Sequence, residues 1–333
     1  MRLDKENLLN LARDFVAERT RSSYHILAVY LCGTLLKEDY MLGGTADVDL
    51  VFIHIVDAPV KREIVRLADE VHLDISHQLQ EEYSRPYQLR SHPWMGSTMF
   101  ECKALHDPRH FIDFTQAGVR GQFDRPDYVL ARASSQAEHA RQMWSSLTAS
   151  PTKPGPKELE IYLRSVNHAA NAIALLSGPP LTERRFLLGF PRKAEAVGRP
   201  GLFPGLLGLL GGPNVDAESM RLWLPAWQET MAALPSSECP PRLHPDRHLY
   251  YLRAFEAILG MEEPRAVLWP LLNTWTQAML VLPPDAPQQD AWRSAFQYLG
   301  LAGPEYTERL AALDAYLDLV EETLADWARE SGA

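Results

Sequence analysis

The feature that most constrains this chain is a short run in which two carboxylates precede an apolar strand. Asp47 and Asp49 are one residue apart, and residues 50–53 are all apolar. Because side chains alternate between the two faces of a strand, these two carboxylates lie side by side. Two ionised carboxylates at the mouth of a buried strand are costly unless a cation compensates them. The run therefore predicts a strand that carries a divalent metal site.

The composition is that of a folded protein with room for two domains. The chain has 333 residues, of which 46% are hydrophobic and 23% charged, as in globular proteins. Its formal net charge of −10 disfavours binding to nucleic acid, because such binding depends on Lys and Arg. No apolar stretch approaches the roughly 20 residues of a membrane span, and the N-terminus lacks a signal-peptide pattern. We therefore expect a cytoplasmic protein without a membrane partner.

The cysteines predict neither a disulfide framework nor a zinc site. Cys32, Cys102 and Cys239 are odd in number and contain no Cys-x-x-Cys pair. Such a pattern indicates packed thiols.

The first 120 residues show the order of a small α/β unit. Helical spacing comes first, at residues 5–20, and strand patterns follow at 25–32, 46–55, 71–76 and 98–105. Gly33-Thr34 forms a turn after the first of these strands, and Asp74 lies on the third. Pro59 predicts the start of a helix with one apolar face, formed by Val60, Ile64, Leu67, Ala68 and Val71.

The rest of the chain has helical periodicity in long windows. These windows cover residues 127–147, 157–176, 246–259 and 305–330. The glycine-rich segment 198–213 lacks the Gly-Lys-Ser/Thr ending of a P-loop and indicates a packed connector. The fold class is therefore α+β, with a short mixed sheet in a domain at residues 1–120 and a larger all-α domain at 121–333.

The candidate residues converge if neighbouring strands pair in a suitable register. Adjacent strands are about 4.8 Å apart, so Asp47, Asp49 and Asp74 can share one small volume with the turn at Gly33-Thr34. Clustered carboxylates of this kind bind one or two Mg²⁺ ions and, through them, a triphosphate. A glycine beside a hydroxyl gives phosphate a close backbone approach and a donor.

These residues resemble the signature of the nucleotidyltransferases of the DNA polymerase β superfamily. That signature has a glycine followed by Gly or Ser, a gap, an Asp-x-Asp/Glu pair and a third acid on a later strand. Gly33, Thr34, Asp47, Asp49 and Asp74 occupy these positions. Thr34 departs from the usual Ser but keeps the hydroxyl. The motif covers roughly residues 25–110, and with the helical domain behind it the chain is similar to aminoglycoside nucleotidyltransferases.

The resemblance implies a magnesium-dependent enzyme that moves a nucleoside monophosphate from a nucleoside triphosphate, such as ATP, to an acceptor hydroxyl. The implied acceptor is a small molecule such as an aminoglycoside-like compound, bound on the side of the helical domain. Asp47 and Asp49 would bind the metal, and Gly33 and Thr34 the nucleotide. Asp74 would complete a second metal site, accept the proton of the attacking hydroxyl, or both.

Two other functions and several simpler interpretations stay open. The chain is alternatively a tRNA- or protein-directed nucleotidyltransferase, or a nucleotide-binding module without catalysis. The acids have a simpler interpretation as solvated strand-end residues, and His72 and His77, which flank Asp74, as packing residues. Five basic residues can neutralise a triphosphate, and the sequence selects none of them: Lys37, Lys61, Arg62, Lys103 and Arg109. The sequence also leaves open which nucleotide is used and the oligomeric state.

Overall fold

The computed structural model describes residues 4–58, 60–149, 153–235 and 239–333. The chain divides into two compact units, residues 1–124 and 125–333. The fold class is α+β, because the first unit contains a mixed sheet and the second is built from helices. Within the described ranges, no helix has both the length and the apolar character that crossing a membrane requires.

The first unit is a sheet with helices on both faces. Its elements are α1 (Lys5–Arg21), β1 (Ile26–Cys32), β2 (Ala46–His54), β3 (Arg62–Arg66), β4 (Val71–Leu79), α2 (Pro86–Leu89), α3 (Met95–Glu101), β5 (Lys103–His106) and α4 (Phe111–Arg120). Among the described residues, five strands form one sheet in the order β3-β4-β2-β1-β5. β2 and β4 run parallel, whereas the other neighbours are antiparallel. The strand that carries Asp47 and Asp49 is therefore central.

Alternation along the strands gives the two faces of the sheet different partners. One face packs its apolar side chains against α1 and includes Val29, Leu31, Val48, Leu50, Phe52, Val71, Leu73 and Ile75. The other face packs against residues 83–123 and includes Ala28, Tyr30, Val51 and Ile53. Asp47 and Asp49 alternate with Val48 and Leu50, so they belong to this second face.

The prediction of a helix beginning at Pro59 is wrong. Pro59 lies outside the described residues, but Arg62–Arg66 forms β3, which pairs antiparallel with β4. A turn connects the two strands, and in it the backbone N–H groups of Leu67 and Ala68 both donate to the carbonyl of Val71 at 3.0 Å. Ile64 and Val65 are β-branched, which suits a strand, and pairing with β4 satisfies the backbone.

The strand predicted over residues 98–105 is only partly correct. Its first half belongs to helix α3, and the strand β5 is confined to Lys103–His106. Gln116 stabilises the end of α3, because its side-chain amide donates to the carbonyls of Met99 and Cys102 at 2.9 Å each. A side chain distant in sequence thus satisfies carbonyls that a helix end leaves unpaired.

The second unit is helical. Its α-helices are α5 (Pro126–Ala149), α6 (Pro156–Leu175), α7 (Phe186–Ala196), α8 (Leu202–Leu209), α9 (Ala217–Ala232), α10 (His248–Leu259), α11 (Leu268–Val281), α12 (Gln288–Tyr298) and α13 (Tyr306–Ser331). The four long helical windows of the sequence correspond to α5, α6, α10 and α13, and α8 lies within the predicted connector. Two reciprocal hydrogen bonds of 3.0 Å join α9 to α11, from Trp227 to Thr274 and from Trp275 to Thr230.

Candidate functional site

Gly33 brings the backbone at the end of β1 against the carboxylate of Asp49. Its φ of +77° lies in the left-handed region, which favours glycine. A Cβ atom at this position would lie 1.9 Å from Oδ2 of Asp49, which is far inside van der Waals contact. Both the backbone conformation and the neighbouring carboxylate therefore require a glycine here.

Thr34 places a buried hydroxyl in the same turn. Residues Thr34–Leu36 form a single 3₁₀ turn, in which the N–H of Lys37 donates to the carbonyl of Thr34 at 2.8 Å. The Oγ1 atom of Thr34 is buried and has no hydrogen-bond partner among the described residues. Burying a hydroxyl without a partner is unfavourable. A phosphate oxygen would reach this hydroxyl only if the turn opened, so the nucleotide-binding role of Thr34 stays a prediction.

A tight glycine turn leads into β2. Gly43 and Gly44 have φ values of +62° and +71°, and the backbones of Leu42 and Thr45 exchange hydrogen bonds of 3.1 and 3.2 Å. Positive φ at both central residues is the type I′ geometry. The turn fixes where β2 begins and thus the positions of Asp47 and Asp49 along the strand.

The register of the sheet gathers the three candidate acids on one face. Asp49 lies opposite Cys32 on β1 and opposite Asp74 on β4, while Asp47 lies opposite His72. Strand partners share a face and are about 4.8 Å apart. Asp47 is 7% exposed and Asp74 3%, and Asp49 is half-buried. The structure thus brings together the acids that the sequence singled out.

The thiol of Cys32 reports the negative charge of this region. Burial raises the pKa of Cys32 well above its usual range, and the charge of Asp49 raises it further. Asp74 and Asp47 contribute smaller increases to the same pKa. All three carboxylates therefore lie near enough to Cys32 to act on its thiol, in agreement with their register in the sheet.

Arg62 holds the carboxylate of Asp74 in a two-point ion pair. Its Nε and Nη2 atoms donate to Oδ1 and Oδ2 of Asp74, both at 2.6 Å. Paired charge-assisted bonds of this kind are strong and fix the geometry of both groups. The sequence offers Arg62 only as one of five basic residues and selects none of them. Residues 62–66 do not alternate in polarity, so the β-branched pair Ile64 and Val65 is the local signal that favours a strand.

The donor set fits a magnesium ion whose ligands come partly from the protein and partly from a nucleotide. Magnesium is commonly held by one or two carboxylates together with substrate phosphates. Asp47 and Asp49 supply two such carboxylates beside the turn of Gly33. In the part of the chain that the structure describes, no group of three or more His, Cys, Asp or Glu side chains is arranged to hold a metal.

The two histidines that flank Asp74 differ in position. His72 lies opposite Asp47, whereas His77 belongs to the face of the sheet that packs on α1. There, Nδ1 of His77 is 2.8 Å from Nε2 of His54, and its Nε2 is 3.1 Å from a carboxylate oxygen of Glu63. His77 is thus a packing residue of the opposite face, as its simpler interpretation holds.

Comparisons with known proteins add little to this geometry. No protein-family model matches the sequence, and no curated protein matches it. Among solved structures, the chain is similar to a nucleotidyltransferase-like protein from Exiguobacterium sibiricum, with 10% sequence identity and a TM-score of 0.28. The match covers 94% of this chain and 91% of that chain. A TM-score this low carries no argument about activity, so the function is inferred from the site.

Proposed function

We propose that this protein is a magnesium-dependent nucleotidyltransferase that moves a nucleoside monophosphate from a nucleoside triphosphate to a hydroxyl of a small molecule. The observation that carries the proposal is the approach of Gly33 to Asp49, where a Cβ atom would lie 1.9 Å from the carboxylate. This contact places a backbone turn suited to phosphate against a carboxylate suited to magnesium. Transfer of a phosphoryl group needs both in one place.

The proposal gives each residue of the site a task. Asp47 and Asp49 would hold magnesium, which neutralises phosphate charge and orients the triphosphate when it is bound. Gly33 lets phosphate oxygens approach the backbone, and the hydroxyl of Thr34 donates to one of them. The acceptor oxygen then forms a bond to the α-phosphorus while the bond to pyrophosphate breaks.

Asp74 is the residue whose task the geometry limits. As a base it would take the proton of the acceptor hydroxyl, and as a ligand it would complete a second metal site. Both of its oxygens are held by Arg62 at 2.6 Å, and a cation beside a carboxylate makes it a weaker base. Either task is therefore disfavoured while the ion pair is closed.

Net charge gives weak support to a small-molecule acceptor and does not identify it. The net charge of −10 favours a cationic small molecule over RNA, because RNA binding depends on basic residues. Within the proposal, an aminoglycoside-like compound is the expected acceptor, because it has both the hydroxyls and the positive charge required.

Transfer of label from an α-³²P nucleoside triphosphate tests the proposal. The four triphosphates with magnesium are screened first for thermal stabilisation, because a ligand of the native state raises its stability. The best is then assayed with aminoglycosides. We expect a labelled small product from the wild type and none from Asp47→Asn or Asp49→Asn. Asp57→Asn, which removes an exposed acid just after β2, is the matched control and retains transfer.

The outcome of the labelling also separates the competing functions. Label that appears on RNA or protein would move the acceptor to the macromolecular class. Full transfer by Asp47→Asn and Asp49→Asn would contradict the proposed site.

One observation favours a second candidate, a nucleotide-binding module without turnover. The ion pair between Arg62 and Asp74 removes the third acid from chemistry in this structure. A module of this kind would be stabilised by a triphosphate with magnesium but would release no pyrophosphate with any acceptor. Measuring pyrophosphate alongside the thermal shift distinguishes the two candidates.

A further inference from the structure

The carboxylate end of the sheet carries its own cation. The side chain of Asp74 is 2% exposed, and that of its partner Arg62 is 40% exposed. A buried carboxylate is strongly destabilising without a hydrogen-bonded counter-charge. Arg62 thus provides for Asp74 the charge neutralisation that a metal ion would provide.

The same geometry sets Arg62 against a metal. Asp74 is the register partner of Asp49 on the neighbouring strand, so an ion held by Asp49 lies within reach of Asp74. Both oxygens of Asp74 already accept hydrogen bonds from Arg62. Each oxygen keeps a second lone pair, but an ion that uses it lies beside the guanidinium, and two cations so close together repel each other.

The exposures indicate which partner moves. Asp74 lies on β4, between β3 and β2, and is held in the sheet interior. Arg62 lies on the edge strand β3 and has a long side chain that is partly in solvent. Opening the pair by rotation of the Arg62 side chain leaves the strands and Asp74 in place.

We propose that Arg62 is the internal counter-cation of this carboxylate site and that it competes with a divalent metal ion for Asp74. The inference rests on the metal site of the proposed function. In this proposal the pair is closed when no divalent ion is bound. Metal binding opens it, freeing Asp74 to act and leaving the guanidinium at the exposed edge of the site.

Titration with Mn²⁺ alone, followed by electron paramagnetic resonance, tests this competition without any nucleotide. Arg62→Gln removes the competing cation, so we expect it to bind Mn²⁺ about tenfold more tightly than the wild type. Arg62→Lys keeps a charge but loses the two-point geometry, so its affinity falls between the two.

Arg19→Gln is the matched control for loss of one positive charge near the sheet. Arg19 pairs at 3.2 Å with Glu63, which is also on β3 but on the opposite face, and its side chain is 45% exposed. Its Mn²⁺ affinity should equal that of the wild type. Equal tightening in Arg19→Gln and Arg62→Gln would overturn the proposal, because the effect would then be general electrostatics.

Folding is checked by thermal melting without metal. Arg62→Gln should melt below the wild type, and Mn²⁺ should recover more stability in the variant than in the wild type. If Arg62→Gln does not fold, Arg62→Lys carries the test. Mn²⁺ affinity equal to or weaker than that of the wild type in the folded variant overturns the inference.

A second variant ties the competition to Asp74. Arg62→Gln should tighten Mn²⁺ binding in the wild-type background but not when combined with Asp74→Asn. Tightening that persists without the Asp74 carboxylate contradicts the proposal. The result is independent of turnover: a protein that transfers no nucleotide but shows this pattern refutes the proposed function and supports the competition.

Discussion

The two faces of one sheet differ in what their strands bury. Towards α1, successive alternate residues of β2 are Val48, Leu50 and Phe52, all nearly inaccessible. Towards residues 83–123, the same strand begins with Asp47 and Asp49 and only then continues with Val51. The strand is thus apolar from Ala46 to Phe52 on one face, and it is divided into a charged end and an apolar end on the other.

The difference separates stability from chemistry within a single strand. Apolar burial on the α1 face stabilises the sheet without needing a ligand. The charged end of the other face needs counter-charges such as Arg62, and the proposed function gives this end the task of binding a metal ion. Adjacent residues of β2 therefore serve different purposes, and single substitutions can tell them apart.

Gly33→Ala should have the largest effect. The added Cβ meets the Asp49 carboxylate at 1.9 Å, so the carboxylate must move, and we expect nucleotidyl transfer to fall by about 100-fold or more. Gly44→Ala is the matched control, because Gly44 has a similar φ of +71° and no atom within 4 Å of the added Cβ. Steady-state transfer kinetics and thermal melting of both variants provide the measurement.

Both variants put alanine at a positive φ, which costs at least about 1 kcal/mol, and the cost is larger at Gly33 because its ψ of −156° lies in a region that only glycine adopts readily. Only Gly33→Ala should also lose transfer. Equal activity in the two variants would show that the contact with Asp49 has no role in the reaction.

Val48→Ala tests the opposite face of the same strand. Val48 is 0% exposed, so removing two methyl groups from the core should lower the free energy of unfolding by about 2 kcal/mol. Transfer per folded molecule should change by less than about threefold, since the side chain points away from the acids. Urea denaturation and active-enzyme titration measure the two quantities.

Val56→Ala is the matched control for this substitution. Val56 follows β2 and is 47% exposed, so the same truncation should leave the free energy of unfolding nearly unchanged. If Val48→Ala lowered transfer per folded molecule by more than about threefold, the two faces of the strand would be coupled.

A smaller effect is expected from His54, the polar residue at the far end of the α1 face. Burial lowers its pKa, and the neighbouring His77 and His25 lower it further. In the unfolded chain His54 therefore binds a proton near pH 6.5, whereas in the folded protein it binds one only at a lower pH. The stability contributed by neutral His54 is complete above this pH and is lost as the pH falls below it.

The measurement is the melting temperature of the wild type and of His54→Gln between about pH 7 and about pH 5, the range in which histidine titrates. We expect the melting temperature of the wild type to fall with pH and the decline to be shallower in His54→Gln. His110→Gln, at an exposed histidine, should not flatten the decline. Parallel curves for the wild type and His54→Gln would assign the acid sensitivity to other groups.

Much of the site follows from local sequence. The strand of Asp47 and Asp49 was predictable because two acids spaced two residues apart precede an apolar run. Gly33 was predictable because a turn is needed after β1. The helical unit was predictable from long windows of one periodicity. These features depend on residues close together in the chain.

The features that the sequence did not predict depend on pairing between strands that are distant in the chain. The apolar spacing of residues 60–71 alone fits a helix. Residues 62–66 form a strand because they pair with β4. The contact of Arg62 with Asp74 follows from that pairing and was therefore also missed. The burial of the Thr34 hydroxyl has no local signal, because it depends on how β1 and β2 close around the turn.

The contact between Gly33 and Asp49 also limits how long the side chain at position 49 can be. The carboxylate of Asp49 already lies against the turn, and glutamate would carry its carboxylate one methylene further into the same backbone. A longer acid must therefore fold back or push β1 away from β2. The turn acts as a fixed stop, so the depth at which Asp49 holds any ion is set by the backbone of the neighbouring strand.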